Sequence, residues 1–425
     1  MSRAIPDAPP LDIWCRRRIN AAATRENIEQ YQRFALRETL IYAAERTRFY
    51  AKILKNLDGI SLEDVPFAEL PFTHPENLAA EPNAFLTAAP HEVSRIVSLP
   101  TSGTSADPKR LFFSERDLED TVDFFRFGMR GIARPGGRVM VFMPGEAHGS
   151  VGDLLRRALA EFDCGASLHG VVTDCGDALA ALVDSQADCV VGLPAQMLAL
   201  ARTEGPRPAL RSVLLSADFV PRAVISALQD AWDCEVFTHF GMTETCFGGA
   251  VECGAHDGAH IREPDLLFEI VDPATGEPLP DGEPGELVVT TLTRRAMPLI
   301  RYRTGDVTTL LRGECPCGCK LKRLGRVHGR TDGGVRLPSG AMLTQPMLDE
   351  AIFVLPFVRA FSASASGDEL ALTVDPTRGA PANFAERVTR AVRAIPGCAD
   401  TRITVQPGGA VAFRNGSVKR GIAVK

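Results

Sequence analysis

The sequence lacks any apolar run long enough to cross a membrane. A bilayer needs about 20 consecutive apolar residues, and the stretch CVVGLPAQMLALA, for example, is interrupted by Pro194 and Gln196. The N-terminal stretch MSRAIPDAPPLDIWCRRR also lacks the continuous apolar segment of a signal peptide. We therefore expect a cytoplasmic protein with no membrane partner.

The sequence also lacks an excess of positive charge. Its 47 Lys and Arg residues are outnumbered by 53 Asp and Glu residues, and the formal net charge is −6. Nucleic acids and anionic membranes select basic surfaces, so neither partner is expected. With 45% hydrophobic and 24% charged residues the composition is that of a folded protein. A length of 425 residues exceeds the usual size of one core, which predicts two or more domains.

The cysteines do not form the paired pattern of a disulfide-rich protein. They number eleven, are scattered, and mostly stand alone in apolar surroundings, where we expect small buried side chains. Examples are Cys15, Cys164, Cys175 and Cys189. The exception is ECPCGCK, which crowds Cys315, Cys317 and Cys319 into five residues. In a reducing compartment this density favours a metal site over disulfides.

A regular alternation of helical and strand patterns fills the first two thirds of the chain. Residues 25–55 carry apolar residues at helical spacing, which predicts one amphipathic helix or two. Short β-prone runs at 138–144, 187–194, 210–216 and 234–240 alternate with helical patterns at 151–162, 195–202 and 221–232. This alternation predicts α/β units around a mostly parallel sheet.

The pattern changes in the last third. From about Asp265 it becomes β-rich, with strands separated by DG and PG turns. The segment 329–340 has the composition of a linker, and the helices and strands predicted after it form a small α+β domain. We therefore expect an α/β fold. A large N-terminal domain, 1–329, would contain α/β subdomains and a β-rich subdomain, and a small C-terminal α+β domain would span 330–425.

The loop TSGTSADPK is the first cluster of residues suited to chemistry. Its small residues leave backbone N–H groups open to phosphate oxygens, and a lysine adds positive charge. The Walker spacing G-x-x-x-x-G-K-[ST] is absent, and a solvated turn is the alternative interpretation. The candidate phosphate-binding residues are Thr101, Ser102, Gly103, Thr104, Ser105 and Lys109.

Two further clusters follow β-prone runs and suit the rest of a nucleotide. HFGMTETCFGG offers an aromatic ring for a base, and Thr and Glu side chains for phosphate and a hard metal ion. LIRYRTGD ends on Asp306, a carboxylate that can accept both hydroxyls of a ribose. Arg303 and Arg330 can complement the same nucleotide. The candidates in the first of these clusters are His239, Phe240, Gly241, Met242, Thr243 and Glu244.

Together the three clusters resemble the adenylate-forming superfamily, which includes acyl-CoA synthetases, peptide adenylation domains and luciferases. The similarity is greatest to phenylacetate–CoA ligases and extends over nearly the whole chain. It is carried by SLPTSGTSADPK, FGMTETCFGGAVEC, EIVDPATGEPLPDGEPGELVVTTLTRRAMPLIRYRTGD and RLGRVHGRTDG. The resemblance implies a mobile C-terminal domain and two half-reactions. A carboxylate attacks the α-phosphorus of ATP, giving acyl-AMP and pyrophosphate, and the thiol of CoA then displaces AMP.

The resemblance also implies the partners and cofactors. They are ATP, Mg²⁺, CoA and a small-molecule carboxylic acid of aryl or arylacetic type, and a homodimer is left open. The acid would bind among residues from segments 140–150, 192–200 and 238–248, where His148 and His239 are candidates to meet a carboxylate.

Individual roles are carried over by position. The loop from Thr101 to Lys109 would grip the leaving phosphates, with Thr104 and Lys109 as catalytic groups. Glu244 would help to hold Mg²⁺, and Lys419 matches the second lysine of the C-terminal motif of relatives.

Other matched positions would bind the nucleoside. Phe240 would lie against the adenine and Asp306 would hold the ribose, with Arg330 nearby. Asp332 would be the hinge of the small domain. The stretch matching the adenine pocket is Ser216, Ala217 and Asp218.

Similar ligases carry a Cys/His cluster that binds zinc. The matching residues are Cys253, His260, Cys315 and Cys317. Three thiolates and one imidazole make a closed tetrahedral structural site. Cys319 is a rival ligand, His256 rivals His260, and unmetallated thiols are the alternative.

Three departures from the family pattern leave other functions open. Ala106 replaces a glycine of the phosphate loop, which is a mild change. Gly333 and the pair Ser339–Gly340 alter a strand that serves CoA in relatives, so transfer to a carrier protein or an amine is one alternative. Ser417 stands where relatives have the lysine that bridges the carboxylate and the α-phosphate. A catalytically impaired nucleotide-binding paralogue is therefore another alternative.

Overall fold

The computed structural model describes residues 8–55, 66–99, 108–409 and 420–424. Contacts divide the chain into two units. Unit 1 contains residues 1–131, 147–162 and 239–327, and unit 2 contains residues 132–146, 163–238 and 328–425. Within the described ranges, no helix is both long enough and apolar enough to span a bilayer.

The helices begin at residues whose side chains or prolines suit an N-terminus. In chain order they are α1 (Pro10–Ile19), α2 (Arg25–Arg46), α3 (Arg48–Lys55), α4 (Pro75–Ala80), α5 (Glu115–Met129), α6 (Val151–Ala160), α7 (Cys175–Asp184), α8 (Pro194–Ala201), α9 (Arg222–Trp232), α10 (Gln345–Phe353) and α11 (Phe384–Arg393). The pattern at 25–55 forms two helices because Thr47 is extended, and its hydroxyl accepts a hydrogen bond from the Tyr50 N–H at the start of α3. Helix α5 begins at a capping box, in which Ser114 and Asp117 bond each other's backbone N–H.

The described strands are two to nine residues long. In chain order they are β1 (Val93–Leu99), β2 (Lys109–Ser114), β3 (Arg138–Val141), β4 (Gly165–Leu168), β5 (Cys189–Gly192), β6 (Ser212–Leu215), β7 (Glu235–Phe240), β8 (Ala250–Glu252), β9 (Ala259–Ile261), β10 (Leu266–Val271), β11 (Gly285–Thr291), β12 (Tyr302–Thr308), β13 (Arg323–Leu324), β14 (Gly329–Arg330), β15 (Val335–Arg336), β16 (Met342–Leu343), β17 (Val358–Ser366), β18 (Glu369–Pro376), β19 (Arg402–Pro407) and β20 (Ile422–Val424).

Unit 1 contains three antiparallel arrangements. β1 and β2 form a hairpin, and β10, β11 and β12 form a sheet that confirms the predicted β-rich region. The end of β7 pairs with β8, β8 with β9, and β9 with β13. Alternate residues of β10 and β11 face a buried apolar cluster that also includes residues of β8, β9 and β13. This cluster joins the sheet of β10 and β11 to the β8–β9 ladder.

Unit 2 contains the predicted parallel sheet, with strand order β4-β3-β5-β6-β7. Every residue of β5 and β6 is buried, as expected for strands of a parallel sheet covered on both faces. The predicted helices between these strands are confirmed as α8 and α9. Strand β4 and helix α7 were not predicted.

The C-terminal part of unit 2 has the predicted α+β composition. A central antiparallel hairpin, β17–β18, is flanked by β20 and β19, both parallel to their neighbours. Helices α10 and α11 lie in one apolar cluster with α8, α9 and the parallel sheet. Arg202, at the end of α8, donates to the carbonyl oxygens of Phe353 and Val358. These contacts group the C-terminal part with the parallel sheet.

The expected boundary between residues 329 and 330 lies two residues from a boundary of the units, between Val327 and His328. A separate small domain spanning 330–425 stays a prediction. The segment 329–340, expected as a linker, includes the two short strands β14 and β15. Val335 and Arg336 of β15 pair with β16.

A buried ionic network holds α1 in unit 1. Asp265 is 2% exposed and accepts hydrogen bonds from Arg18 and from Arg262. Arg18 also donates to Asp120 of α5 at 2.8 Å. Burial acts to raise the pKa of Asp265, but Arg262 and Arg18 outweigh it and hold the pKa below its usual value. The carboxylate of Asp265 therefore remains ionised between two guanidinium groups.

We expect Asp265→Asn to destabilise the protein by about 3–5 kcal/mol, because it leaves the buried Arg262 without its carboxylate partner. Urea unfolding at neutral pH measures this change. The matched control is Glu283→Gln, which removes one member of an exposed pair with Arg312 (3.8 Å) and should cost less than about 1 kcal/mol. Equal effects of the two substitutions would contradict the role assigned to the network.

Candidate active site

Residues 241–249 form a tight turn between β7 and β8. Gly241 has no room for a side chain, because a Cβ there would lie 1.8 Å from the carbonyl oxygen of Phe247. A Cβ at Gly249 would lie 2.9 Å from the carbonyl oxygen of Phe240. The glycines of this cluster are therefore required by the close approach of two backbone segments. Glu244 lies within the turn and is 4% exposed.

The turn is strained and is held by side chains from other segments. Cys246 and Phe247 have φ values of +54° and +67°, a left-handed conformation that costs energy for residues other than glycine. The Thr121 hydroxyl donates to the carbonyl oxygen of Cys246 at 3.0 Å, and Arg262 donates to the Thr121 hydroxyl at 3.0 Å. Arg294 donates to the carbonyl oxygen of Glu244 at 3.0 Å. These bonds hold the backbone at Glu244 and two residues after it.

The side chains of Lys109 and Tyr302 both contact the carboxylate of Glu244. Lys109 Nζ donates to Glu244 Oε1 at 2.6 Å and to the Tyr302 hydroxyl at 3.1 Å. The Tyr302 hydroxyl donates to the same carboxylate oxygen at 3.0 Å. The two residues expected to bind phosphate and Mg²⁺ are thus in direct contact. Tyr302 completes a closed triangle of hydrogen bonds with them.

Asp306 lies in a bulge of β12. Glu286 of β11 pairs with Val307, whereas Val288 pairs with Arg303, so the intervening part of β12 has two extra residues. Gly305 has a φ of +77° and its N–H donates to Glu286 Oε1 at 3.1 Å. Bulges of this kind redirect side chains beside functional sites. Arg303 pairs with Glu286 and donates to the carbonyl oxygen of Pro273, so its charge is balanced within unit 1, and its role toward a nucleotide stays a prediction.

Unit 2 contains the other matched nucleotide residues. Ser216 follows β6 and is 8% exposed, Ala217 has a φ of +71°, and Asp218 accepts a hydrogen bond from the N–H of the next residue. A strained residue at the carboxyl end of a parallel strand lies where α/β sheets commonly bind ligands. Arg330 donates to Asp332 at 2.9 Å. The roles of these residues stay predictions.

Some candidate residues lie outside the described ranges. They are Thr101, Ser102, Gly103, Thr104, Ser105, Ala106, Ser417 and Lys419. Of the phosphate-loop candidates, Lys109 is described, at the start of β2.

The matched Cys/His residues come together in unit 1. One ligand atom from each of Cys253, His260, Cys315 and Cys317 lies within 4.8 Å of all the others. Cys253 Sγ is 3.6 Å from Cys315 Sγ, and His260 Nε2 is 3.2 Å from Cys317 Sγ. All eleven cysteines are described, and each is a free thiol. The four side chains therefore lie close enough together to hold one metal ion.

The rival ligands lie outside this set. Cys319 is 2% exposed and its N–H donates to Cys317 Sγ at 3.4 Å. His256 Nδ1 lies 3.6 Å from a carboxylate oxygen of Glu252. His260 Nδ1 lies 3.3 Å from the carbonyl oxygen of Leu321. A hydrogen bond from Nδ1–H to that oxygen would leave Nε2 as the atom available to a metal.

The two histidines considered for the acid lie in different environments. His148 Nε2 lies 2.9 Å from Glu115 Oε2, and both side chains are exposed. The half-buried His239 lies edge-on to the ring of Phe125 at 5.8 Å between ring centroids. Burial lowers the pKa of His239 to about 4. His239 is therefore neutral at pH 7 and offers a hydrogen bond, not a positive charge, to an acid.

The sequence patterns did not reveal the residues that support Glu244. Tyr302 directly precedes RTGD in the third cluster, just after an apolar run that is typical of a core strand. In the structure it is 1% exposed. Thr121 and Arg262 have no local motif. The one available signal was the position of Tyr302 within a cluster already assigned to a nucleotide.

Comparison with known proteins places the chain among nucleotide-dependent enzymes. Residues 19–293 match the model of a family described as AMP-binding enzyme. The chain is 31% identical over 336 residues to a phenylacetate-coenzyme A ligase of Thermus thermophilus, covering 72% of this chain and 71% of the relative. It is 29% identical over 330 residues to a phenylacetate-coenzyme A ligase of Pseudomonas putida, covering 73% of this chain and 72% of the relative.

The fold has a solved counterpart. A crystal structure of a 2-hydroxyisobutyryl-CoA ligase in the postadenylation state aligns with a TM-score of 0.79 at 21% sequence identity. The alignment covers 100% of this chain and 95% of the other. This similarity confirms the expected fold class.

The low pKa of His239 predicts a specific loss of stability in acid. Above a pH of about 6.5 the imidazole is neutral in both the folded and the unfolded protein. Below this pH the unfolded chain binds a proton at His239, whereas the folded protein does not. The contribution of His239 to the free energy of unfolding should therefore fall as the pH drops, by about 2 kcal/mol at pH 5 and about 3 kcal/mol at pH 4.

The difference in unfolding free energy between the wild type and His239→Gln isolates this effect, because the variant lacks the titrating group. Urea unfolding between pH 7.5 and pH 4 measures it. A difference that stays constant over this range, or an imidazole NMR signal of His239 that titrates near pH 6.5, would refute the assignment.

Proposed function

The chain belongs to the family of AMP-binding enzymes, alongside the phenylacetate-coenzyme A ligases, and on that premise we propose that it is an ATP-dependent acid–CoA ligase acting on an aryl or arylacetic acid. The observation that carries the proposal is the contact of Lys109, Glu244 and Tyr302. It unites a cation suited to phosphate with a carboxylate suited to a hard metal ion.

The proposed reaction has two balanced steps. A carboxylate oxygen of the acid attacks the α-phosphorus of ATP, the bond to the bridging oxygen breaks, and pyrophosphate leaves. The deprotonated thiol of CoA then attacks the acyl carbon, and AMP leaves with the electrons of the acyl–oxygen bond. Both steps develop charge on oxygen atoms around phosphorus or carbon, so positioned cations and hydrogen-bond donors can lower the barrier.

The described residues suit separate parts of the first step. Lys109 would bind a phosphate oxygen once it leaves Glu244, and Asp306, in its bulge, would accept the ribose hydroxyls. Glu244 would hold Mg²⁺, which neutralises phosphate charge when bound. Phe240 lies edge-on to Phe268 at 6.1 Å between ring centroids and would present a face to the adenine. The phosphate loop 101–105 and Lys419 would complete the site.

The Cys/His cluster has dimensions that suit Zn²⁺. In a tetrahedral site with Zn–S of about 2.3 Å and Zn–N of about 2.1 Å, ligand atoms lie about 3.6–3.8 Å apart. The separations of 3.6 Å and 3.2 Å in the cluster are near these values. Zn²⁺ held by Cys253, His260, Cys315 and Cys317 would cross-link the β8–β9 turn to the segment that precedes β13.

CoA as the acceptor is the proposal favoured by the relatives. Transfer to a carrier protein or an amine is the alternative suggested by the changed residues Gly333, Ser339 and Gly340. Replacement of the expected lysine by Ser417 suggests an impaired paralogue. The homodimer and the cytoplasmic location stay predictions.

We expect the enzyme to catalyse exchange of pyrophosphate into ATP in the presence of Mg²⁺ and an aryl or arylacetic acid. Glu244→Gln should lower the exchange rate by about 10²–10³-fold, as loss of one group that stabilises the transition state does. Glu283→Gln, with its exposed carboxylate, should leave the rate unchanged.

Analysis of the products formed with and without CoA, together with the exchange assay, separates the alternatives. Formation of acyl-CoA confirms the ligase, whereas acyl-AMP that forms without any dependence of turnover on CoA favours a carrier protein or an amine. No exchange with any acid, while calorimetry shows ATP binding, would identify the impaired paralogue.

We also expect about one zinc ion per chain by metal analysis. Cys317→Ser should release the metal and lower the free energy of unfolding by several kcal/mol, less than the about 10–16 kcal/mol of whole zinc fingers, because unit 1 has its own core. Cys175→Ser, at a half-buried cysteine outside the cluster, should keep the metal. Protein that contains no zinc when purified without chelators would refute the metal site.

A further inference from the structure

The hydroxyl of Tyr302 contacts both charges of the candidate active site. It donates to Glu244 Oε1 at 3.0 Å and accepts from Lys109 Nζ at 3.1 Å. Lys109 and Tyr302 thus share one carboxylate oxygen, because Lys109 donates to Oε1 as well. The three groups are tightly coupled, since moving any one changes two hydrogen bonds.

Tyr302 is the more rigid of the two donors to Glu244. Its side chain is 1% exposed, and its backbone is paired with Val289 of β11 and bridged to Thr73 on the other side. Lys109 has a long flexible side chain that is 16% exposed, at the start of β2. If an anion draws one donor away from Glu244, Lys109 is therefore the one that can leave.

Movement of Lys109 away from Glu244 would cost free energy. A carboxylate that is 4% exposed loses the positive charge of Lys109 when the lysine moves to a phosphate, and loss of a counter-charge is strongly unfavourable for a buried carboxylate. A divalent cation bound with the nucleotide and held by Glu244 would restore the charge balance. During the exchange, a neutral hydroxyl fixed in place can keep the carboxylate in its orientation.

We propose that Tyr302 is a positioning residue that holds Glu244 for the metal while Lys109 changes partner from Glu244 to a nucleotide phosphate. The proposal rests on the proposed function, since it requires ATP and Mg²⁺ as ligands. Without the hydroxyl, Glu244 loses the donor at 3.0 Å that would stay in place when the metal–nucleotide complex draws Lys109 away.

Tyr50 provides a matched control for a purely structural role. It is also a buried tyrosine of unit 1, 2% exposed, whose hydroxyl accepts from the N–H of Ile300 at 2.9 Å and bonds the Thr73 hydroxyl at 3.0 Å. Thr73 in turn is bridged to Tyr302. Tyr50→Phe thus removes a comparable buried hydroxyl close to the same strand without touching Glu244 or Lys109.

The test compares ATP binding with Mg²⁺ and with EDTA, by calorimetry, for the wild type, Tyr302→Phe and Tyr50→Phe. We expect Tyr302→Phe to weaken binding of Mg²⁺–ATP by about 10-fold or more, the usual effect of losing a hydrogen bond to a charged group. Metal-free ATP should bind within about twofold of the wild type, because Lys109 remains. The Mg²⁺ concentration that gives half-maximal pyrophosphate exchange should rise in parallel. Tyr50→Phe should lower the melting temperature and leave the Mg²⁺ dependence unchanged.

Equal weakening with and without Mg²⁺, or no weakening at all, would overturn the proposal. If Tyr302→Phe does not fold, 4-fluorophenylalanine at position 302 replaces it, because its fluorine is similar in size to the hydroxyl and cannot donate a hydrogen bond. Affinity for Mg²⁺–ATP should then fall as expected for Tyr302→Phe while metal-free ATP still binds, and unchanged affinity for Mg²⁺–ATP would overturn the proposal.

Failure of the proposed function gives a different result. If the wild type binds Mg²⁺–ATP but exchanges pyrophosphate with no acid, the ligase assignment fails while the binding comparison still decides the role of Tyr302. If the wild type binds no ATP, both fail together.

Discussion

The pairing of Lys109 with Glu244 is the interaction on which the candidate active site depends. Removing a carboxylate from water costs several kcal/mol unless a counter-charge and hydrogen bonds replace the water, and Glu244 is almost fully buried. The counter-charge comes from β2 and the hydroxyl donor from β12, while Glu244 itself follows β7. The site therefore forms only when these distant segments fold together, which couples the chemistry of unit 1 to its tertiary structure.

Local sequence patterns predicted the strands and helices whose burial follows from the spacing of apolar residues. Continuous apolar runs predicted the buried strands β5 and β6, because a parallel sheet covered on both faces requires them. Helix α5 was not predicted, although Ser114 and Asp117 form a capping box. The acidic residues of ERDLED obscure the helical spacing of its apolar residues. Strand β17 was missed because VRAFSASAS is rich in small residues of low strand preference, and its neighbours β18 and β20 determine its pairing.

The candidate site was predictable only where a resemblance supplied distant partners. Lys109 and Glu244 are 135 residues apart, and no local pattern relates them. The adjacent residues Tyr302 and Arg303 illustrate the remaining difficulty. Neighbouring residues on a strand point to opposite faces, so Tyr302 contacts Glu244 while Arg303 pairs with Glu286. The pairing of β12 with β11 decides whether Tyr302 or Arg303 points toward the site. Amino-acid composition does not determine that pairing.

Strand β8 connects the Cys/His cluster to the turn that contains Glu244. Ala250 pairs with Phe240 just outside the turn, Val251 pairs with both His239 and His260, and Cys253 follows the strand directly. Metal bound at the cluster would hold β8 and β9 in register, and β8 is the strand into which the turn runs. Left-handed residues such as Cys246 persist only where the surroundings over-determine the backbone. A metal ion bound at the cluster would therefore restrain the end of the strained turn that contains Glu244.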